Sequence, residues 1–296
     1  MTRVALIGLG RLGTSLGKAL AEAGYEIAAL SDSDLRAARR ARRTIGRGQV
    51  KGRAFVAVTN DAAAAARKAE MVFLAVPDGA IAEVVRVLLA GGSVWRGKTI
   101  FHTSGVETSE RLAPLAAAGA RVASFHPVQS FPKPTMPPAH FRGVTFGLEG
   151  DPAALRKART VVRDLGGRPI VLSAGKKTLY HAACVLASNL FIPLFELAVE
   201  TMVAAGLSAR EAKTTLEPLV EGTLRNVKIL DAAEALTGPL ARLDFGTVEA
   251  HLKALRCVPR AREAYRTVGL ETLELLKKRG VAAGSIKRLR SLLEEK

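Results

Sequence analysis

The sequence predicts an α/β protein, with a doubly wound, mainly parallel sheet over residues 1–173 and an all-helical region over 174–296. Three observations predict it. Short apolar runs alternate with amphipathic stretches through the first half, as in a parallel sheet covered by helices on both faces. A glycine-rich turn follows the first apolar run. Beyond Ser173 the strand signals stop and apolar residues recur at helical spacing.

Residues 4–7, VALI, read as a short buried strand. Gly8, Gly10 and Gly13 then form a GxGxxG turn, followed by a helical pattern through Leu20 and Ala23 and a second strand over 25–30. Asp32 stands 19 positions after Gly13. Strand, glycine turn, helix, strand and acidic residue together form the context that a dinucleotide-binding turn requires. Gly8 permits the tight turn, Gly10 lets a pyrophosphate approach the backbone, and Gly13 lets helix and strand pack closely. The helix N-terminus offers free N–H groups to phosphates. Arg11 and Leu12 within the turn, and Ser31 at the end of the second strand, are assigned to the same cofactor. A carboxylate at Asp32 can accept ribose hydroxyls and repel a 2′-phosphate, or simply cap the next helix alongside Ser31 and Ser33. Arg36, Arg39 and Arg40 follow closely and could hold a 2′-phosphate if Asp32 turned away. The cofactor is therefore NAD or NADP, with Asp32 tipping the balance slightly to NAD.

Further strands are expected near 56–58 and over 71–76, 98–101 and 122–125. In a doubly wound sheet the ligand sits outside the carboxyl ends of the strands. Val76-Pro77-Asp78, His102-Thr103-Ser104-Gly105 and His126-Pro127-Val128-Gln129 therefore converge on one cleft. Val76, Pro77 and Ser104 are assigned there to the cofactor and Gln129 to the substrate. Pro127 fixes the chain direction after His126. That histidine either caps a strand end or takes part in chemistry. Residues 144–148 and 169–172 add two strands around a helix at 152–165.

The second half should open on a long helix over 176–205, followed by helices near 209–230, 247–255 and 261–278 and a short basic C-terminal one. At 100° per residue, Lys177, His181, Cys184 and Ser188 fall within about 60° of one another and form a polar stripe. With Asn189 they carry more polar atoms than helix packing needs. The apolar stretch 182–198 includes Ser188, Asn189, Pro193 and Glu196, which suits a buried helix better than a membrane span. In TGPLARLD, residues 237–244, Arg242 could clamp a carboxylate or phosphate, with Asp244 beside it. The two could equally form a surface ion pair. Thr247 is the expected cap of the following helix.

The net charge is +17, yet the basic residues are mostly dispersed. Their one dense cluster, RAARRARR at 36–43, reads as a solvated helix face. No nucleic-acid motif accompanies the charge. Two cysteines cannot build a disulfide framework, and no Cys/His cluster suggests a metal. No targeting segment is apparent, so the expected compartment is the cytoplasm.

The segments GLGRLG, AVPDGAI, HTSGVE, FHPVQSFP, KTLYHAACVLASN and ALTGPLARLD followed by His251 give the chain a family resemblance over nearly its whole length. It resembles the Rossmann-like oxidoreductases that carry a C-terminal helical domain of unknown function. These are distant relatives of the 6-phosphogluconate and 3-hydroxyisobutyrate dehydrogenases and of pyrroline-5-carboxylate reductase. The His126-Pro127 step is also similar to that of prephenate dehydrogenases. The resemblance implies a helical dimerisation domain and a substrate cleft. It also implies catalytic roles for Lys177, His181 and Asn189, which match the Lys and Asn positions of the better-known relatives. Two residues depart from the pattern: Asp32 stands where arginine is expected, and Leu243 where glycine is expected.

The expected activity is hydride transfer between a nicotinamide and a small, anionic hydroxy acid, oxo acid or imine. His181 or Lys177 would exchange the proton. His126, Ser104, Ser188 and Asn189 would orient the substrate, and Arg242 with Asp244 would meet its anionic end. A homodimer with no nucleic-acid or membrane partner is expected. The alternative is a sensor that binds NAD(P) without turnover. Gly10→Val should abolish the binding of NAD and NADP in a calorimetric titration, because its side chain would fill the space a pyrophosphate needs. Equal binding by both proteins would remove the basis of this reading.

Overall fold

The computed structural model describes residues 1–46, 56–92 and 94–295. The chain divides into two compact units, Met1–Val185 and Leu186–Lys296. The first is the doubly wound sheet. Its strands are β1 (Arg3–Ile7), β2 (Glu26–Ser31), β3 (Ala57–Thr59), β4 (Met71–Leu74), β5 (Thr99–His102), β6 (Arg121–Pro127), β7 (Thr145–Gly150) and β8 (Arg168–Val171). Their order across the sheet is β3-β2-β1-β4-β5-β6-β7-β8. Only the β6–β7 pair is antiparallel, with His126 opposite Gly147. The order reverses between β1 and β4, so the crevice for a ligand opens there.

Helices cover both faces: α1 (Arg11–Glu22), α2 (Leu35–Gly46), α3 (Ala62–Arg67), α4 (Ile81–Ala90), α5 (Ala113–Ala117) and α6 (Pro152–Asp164), while α7 (Lys177–Ala187) follows β8 and meets the ends of β5 and β6. The strands between the two edges, β1, β2 and β4 to β7, are largely buried on both faces, which explains their apolar runs. Phe73, Phe101, Phe125 and Phe146 stack across β4, β5, β6 and β7 with successive ring centroids 5.1, 5.6 and 5.0 Å apart. That ladder ties the carboxyl ends of β4, β5 and β6 to the amino end of the antiparallel β7. The proline-rich loop after β6 is pinned to α1, where the Met136 N–H donates to Ser15 Oγ at 3.2 Å.

The single long helix expected over 176–205 is two helices. α7 ends at Ala187, residues 188–190 turn, and α8 (Phe191–Ala204) follows. Pro193 is the cause: it has no N–H, and its ring would clash with the carbonyl of Asn189 in a continuous helix. In the first turn of a new helix it is tolerated, because those N–H groups have no intrahelical partner. Ser188 therefore lies just past the end of α7. The division into units falls at the end of α7, twelve residues beyond the boundary expected after Ser173.

The second unit continues with α9 (Ala209–Ile229), α10 (Ala232–Ala235), α11 (Gly238–Ala241), α12 (Phe245–Ala254), α13 (Pro259–Lys278) and α14 (Ala283–Glu294). Ser208 and Glu211 form a capping box at the start of α9. The cap of α12 is Asp244, not Thr247 as expected; its carboxylate accepts the Thr247 N–H at 3.0 Å and hydroxyl at 2.7 Å. Val248, Leu252, Leu273, Leu276 and Leu289 form the core of α12–α14.

The stretch 182–198, expected to be buried, is largely exposed. Leu186, Leu190, Phe191, Ile192 and Leu194 face outward, as do Leu219, Leu224 and Val227 of α9. Among the described residues Ala174–Ala204 is long and apolar enough to cross a membrane, by length and composition only. The turn at 188–190 interrupts it.

Candidate active site

Gly8 adopts φ +88°, a conformation that L side chains rarely take. A Cβ there would lie 2.5 Å from the Ala75 carbonyl oxygen, and one on Gly13 would overlap the Gly8 carbonyl oxygen. Around Gly10 the space is open, with no heavy atom within 4 Å of an added Cβ. The three glycines thus divide their work by the space each leaves. Gly8, Gly10, Ser31, Asp32, Val76 and Pro77 meet around a cavity of about 480 Å³ over the ends of β1, β2 and β4. Leu12 packs its side chain on the core and has only backbone to offer a ligand.

Asp32 does not extend freely into this cavity. Its Oδ2 accepts the Leu9 N–H at 2.7 Å, and its Oδ1 accepts the Asp34 N–H at 2.9 Å. One carboxylate thereby joins the glycine turn to the β2–α2 turn.

The second group lies three strands along the sheet edge, about 14 Å away at the usual strand spacing. His126 Nδ1 is 2.9 Å from the Tyr180 hydroxyl. The His126 and His181 rings are 5.8 Å apart between centroids. Gly105 runs between them: a Cβ on it would sit 2.8 Å from His126 Nε2 and would overlap the His181 ring. Gly147, opposite His126 in the β6–β7 register, leaves the space that the Tyr180 hydroxyl fills. Its N–H also bonds that hydroxyl.

Lys177 is fully buried, and its Nζ donates to the carbonyl oxygens of Ser104 at 2.7 Å and Gly105 at 2.9 Å. Burial pushes its pKa down to about 8, against the opposing pull of Glu149, Asp78 and Glu107. Burial, followed by the charges of Lys177, His181 and His102, pushes His126 down to about 4. His126 is therefore neutral at pH 7. Burial of Tyr180, next to Cys184, raises its phenol well above the ordinary value.

His102, which the sequence left as part of a strand end, is sealed beneath this group. Its Nδ1 accepts the Ser104 N–H at 3.2 Å, so Nε2 carries the proton and donates to the Thr108 carbonyl at 3.0 Å. Burial and the Lys177 charge push its pKa down to about 4. Ser104 is buried as well, and its hydroxyl accepts the Glu107 N–H at 3.0 Å. Glu149 accepts both the N–H and the hydroxyl of Ser109 at 2.7 Å. Tyr180 and Glu149 were not singled out from the sequence, and His102 and Gly105 were placed at the cleft without a role. Tyr180 borders the polar stripe, about 60° from Lys177 and 40° from Cys184 around the helix, so helical spacing was the signal that could have found it.

The structure thus brings Lys177, His181, Ser104 and His126 together in the first unit. Gln129 is exposed just beyond β6, with its side-chain oxygen on the Ser130 N–H at 2.9 Å. Ser188, Asn189, Arg242 and Asp244 belong to the second unit. Ser188 and Asn189 are exposed in the α7–α8 turn, and Arg242 is exposed before α12. Leu243 adopts φ +57°, the only positive φ outside glycine among the described residues. The loop keeps the left-handed conformation that glycine would take, at a cost of about 1–2 kcal/mol for a residue with a Cβ. Packing of the Leu243 side chain on the second-unit core offsets part of that cost. Among the described residues no group of three or more His, Cys, Asp or Glu is placed to hold a metal ion.

Residues 1–127 match the Rossmann-like domain family and residues 144–272 match the family described as a domain of unknown function (DUF2520). The chain joins a Rossmann-like domain to a DUF2520 domain. The DUF2520 match begins with β7 and α6, so its first part belongs to the sheet unit. No curated protein matches the sequence. Among solved structures, the chain is similar to a Bacteroides fragilis protein provisionally described as an NADP oxidoreductase. The TM-score is 0.73 at 23% identity, covering 90% of this chain and 96% of that one. It is also similar to a reductive aminase from Aspergillus terreus in complex with NADPH and ethyl levulinate (TM-score 0.59, 21% identity, 99% and 93% covered). A third is the Plasmodium falciparum pyrroline carboxylate reductase with NADP bound (TM-score 0.58, 12% identity, 99% and 98% covered). At these identities the likeness is one of fold.

The buried His102 makes stability depend on pH. The folded ring takes a proton only near pH 4, the unfolded ring near 6.5. Stability is therefore full above pH 6.5 and is lost as the pH falls toward 4. A shift of this size is worth on the order of 3 kcal/mol across the window. Denaturant unfolding at pH 7 and pH 5 should show a smaller pH-induced loss for His102→Asn than for wild type. An equal loss in both would mean that the ring is not sealed as described.

Proposed function

We propose that the chain is a nicotinamide-dinucleotide oxidoreductase acting on a small, anionic hydroxy acid, oxo acid or imine. The observation that carries this reading is the pairing, within one unit, of an open glycine turn with two histidines facing across Gly105. The residues fit the cofactor. The space at Gly10 is free for a pyrophosphate, and the cavity beside Asp32, Val76 and Pro77 suits the adenosine half. The nicotinamide supplies or accepts the hydride. The three similar structures carry NADP or NADPH in their descriptions, which favours NADP. The lean to NAD rested on Asp32, and its engagement with backbone N–H groups weakens that argument.

The chain's own part is to move one proton and hold the substrate. His126 is neutral near pH 7. Its Nδ1 meets the Tyr180 hydroxyl and its Nε2 faces the Gly105 side; with Tyr180 as donor to Nδ1, Nε2 would carry the proton toward the substrate. His181, across Gly105, is the second candidate for proton exchange. Lys177 acts as a positioning residue, because it is sealed on the Ser104 and Gly105 carbonyls. Asn189 and Arg242 keep the roles the resemblance implies, substrate orientation and an anion clamp. A sensor without turnover would not need two histidines, a tyrosine and a lysine around one glycine.

The test is a screen following nicotinamide absorbance with NADPH and NADH across small oxo acids, hydroxy acids and cyclic imines. With an active substrate, His181→Ala should lose about 10²–10⁴-fold in turnover with cofactor affinity nearly unchanged. His126→Ala should raise KM more than it lowers kcat. Binding of the cofactor without turnover in any class would favour the sensor.

A homodimer is also proposed. Phe191, Ile192 and Leu194 of α8 and Leu219, Leu224 and Val227 of α9 form exposed apolar faces that a second copy would cover. Light scattering at micromolar concentration should give twice the chain mass; a monomer would rule the proposal out.

A further inference from the structure

Tyr180 ties the His126 ring to α7. Its hydroxyl lies 2.9 Å from His126 Nδ1, and the two rings meet edge to face at 89°. Residue 147 makes room for that hydroxyl by being glycine, since a Cβ there would overlap the oxygen. Burial holds the phenol well above its ordinary pKa, so it keeps its proton. Two acceptors stand beside that proton, His126 Nδ1 and the Cys184 sulfur. A thiol sulfur accepts weakly, whereas the bare nitrogen of a neutral imidazole is a good acceptor.

The other ring nitrogen has no such partner. Among the described residues no hydrogen bond engages His126 Nε2. Yet the one sealed side-chain atom without a partner, among the described residues, is Thr99 Oγ1. Nε2 is therefore open to a ligand, on the side facing Gly105. The charges that act on the ring are those of Lys177, His181 and His102, all basic. The carboxylates of Glu149, Asp78 and Glu107 act on Lys177 instead. A ligand group at Nε2 thus meets a positive field, which disfavours a cation. An iminium ion, the protonated form of an imine, is such a cation, and its nitrogen has no lone pair to accept a hydrogen bond. A carbonyl oxygen is neutral and accepts.

We propose that Tyr180 determines substrate class: it holds His126 with its proton on Nε2, as a fixed donor, so that the site takes a substrate with oxygen on the reacting carbon and rejects an iminium ion. The proposal rests on the nicotinamide-dependent oxidoreductase reading and narrows it to the oxo and hydroxy acids. In the reduction, the carbonyl carbon gains the hydride pair from the nicotinamide and the C=O pair moves to the oxygen. The oxygen takes a proton from solvent by way of His181. The carbonyl is reduced, the nicotinamide is oxidised, and no covalent bond of His126 or Tyr180 changes. Tyr180 acts through His126 and is a positioning residue.

Two measurements test this. The first needs no substrate: nitrogen NMR of the full chain carrying labelled histidine, at pH 7. His126 should show a protonated Nε2 and a bare Nδ1. In Tyr180→Phe, with a wild-type circular dichroism spectrum, the Nδ1 resonance should move as its hydrogen bond is lost. A proton on Nδ1 in the wild type, or an unmoved resonance in the variant, would overturn the proposal. The second follows NADPH absorbance with small oxo acids and with an N-methylated pyrrolinium ion, a permanently charged imine. The wild type should prefer an oxo acid by at least about tenfold in kcat/KM, because the cation loses a hydrogen bond and meets a like charge. Tyr180→Phe should raise KM for the oxo acid about fivefold, more than it lowers kcat, and shrink the preference. Use of the cation as readily as any oxo acid, or a preference unchanged in Tyr180→Phe, would overturn the proposal and leave the oxidoreductase reading standing. No turnover of either class would count against that reading itself, and against the substrate class proposed here with it.

Discussion

The buried ammonium of Lys177 is the interaction on which the candidate site depends. It enters at the first residue of α7 and donates to two successive carbonyls, those of Ser104 and Gly105, in the turn after β5. A fully buried cation is tolerated only when hydrogen-bonded and balanced by charge. The two carbonyls supply the hydrogen bonds, while Glu149, Asp78 and Glu107 supply opposing charge nearby. With the start of α7 tied to the turn, Tyr180 and His181 stand one turn further along the helix, facing His126. His102 completes the support from below by fixing the other side of the same turn through Ser104 and Thr108.

Backbone proximity accounts for several residues that side-chain chemistry leaves unexplained. Gly105 lets two imidazoles approach from either side of the chain, and Gly147 opens the space for the Tyr180 hydroxyl. The antiparallel β6–β7 register sets Gly147 directly beside His126. A parallel β7 would shift that pairing and present other residues to the cluster. The single antiparallel pair in the sheet thus shapes the site, even though it lies away from the glycine turn.

The glycine turn depends on a carboxylate in a comparable way. Asp32 reaches across from the end of β2 to hold the Leu9 N–H, so the turn is braced from the neighbouring strand. A residue type that ordinarily signals cofactor choice here has a structural partner, and the basic side chains lie on α2. The proline-rich loop after His126-Pro127 is held to the same region through Ser15. The strand end carrying the histidine and the helix carrying the glycine turn are therefore joined by one ordered connection. In the second unit Leu243 takes a left-handed backbone that glycine would adopt at less cost.

The sheet, its strand ends, the tight glycine turn after β1 and the location of His126 were legible in the sequence. Each depends on local periodicity or local turn chemistry, which a few neighbouring residues encode. The stripe of Lys177 and His181 was legible for the same reason, since helical spacing alone defines it. The break at Pro193 was encoded locally too, but it was masked by the apolar run around it. Tertiary structure alone decided that Lys177 is sealed, that Tyr180 meets His126 and that His102 lies buried. It also decided that Asp32 turns to the Leu9 N–H. The contacts of Asp32, Tyr180 and Lys177 join residues from 23 to 73 positions apart: Leu9 with Asp32, His126 with Tyr180 and Lys177 with Ser104. A polar side chain in a sequence has a type but no partner, and burial, which sets its protonation and its role, exists only once the distant strand is packed against it.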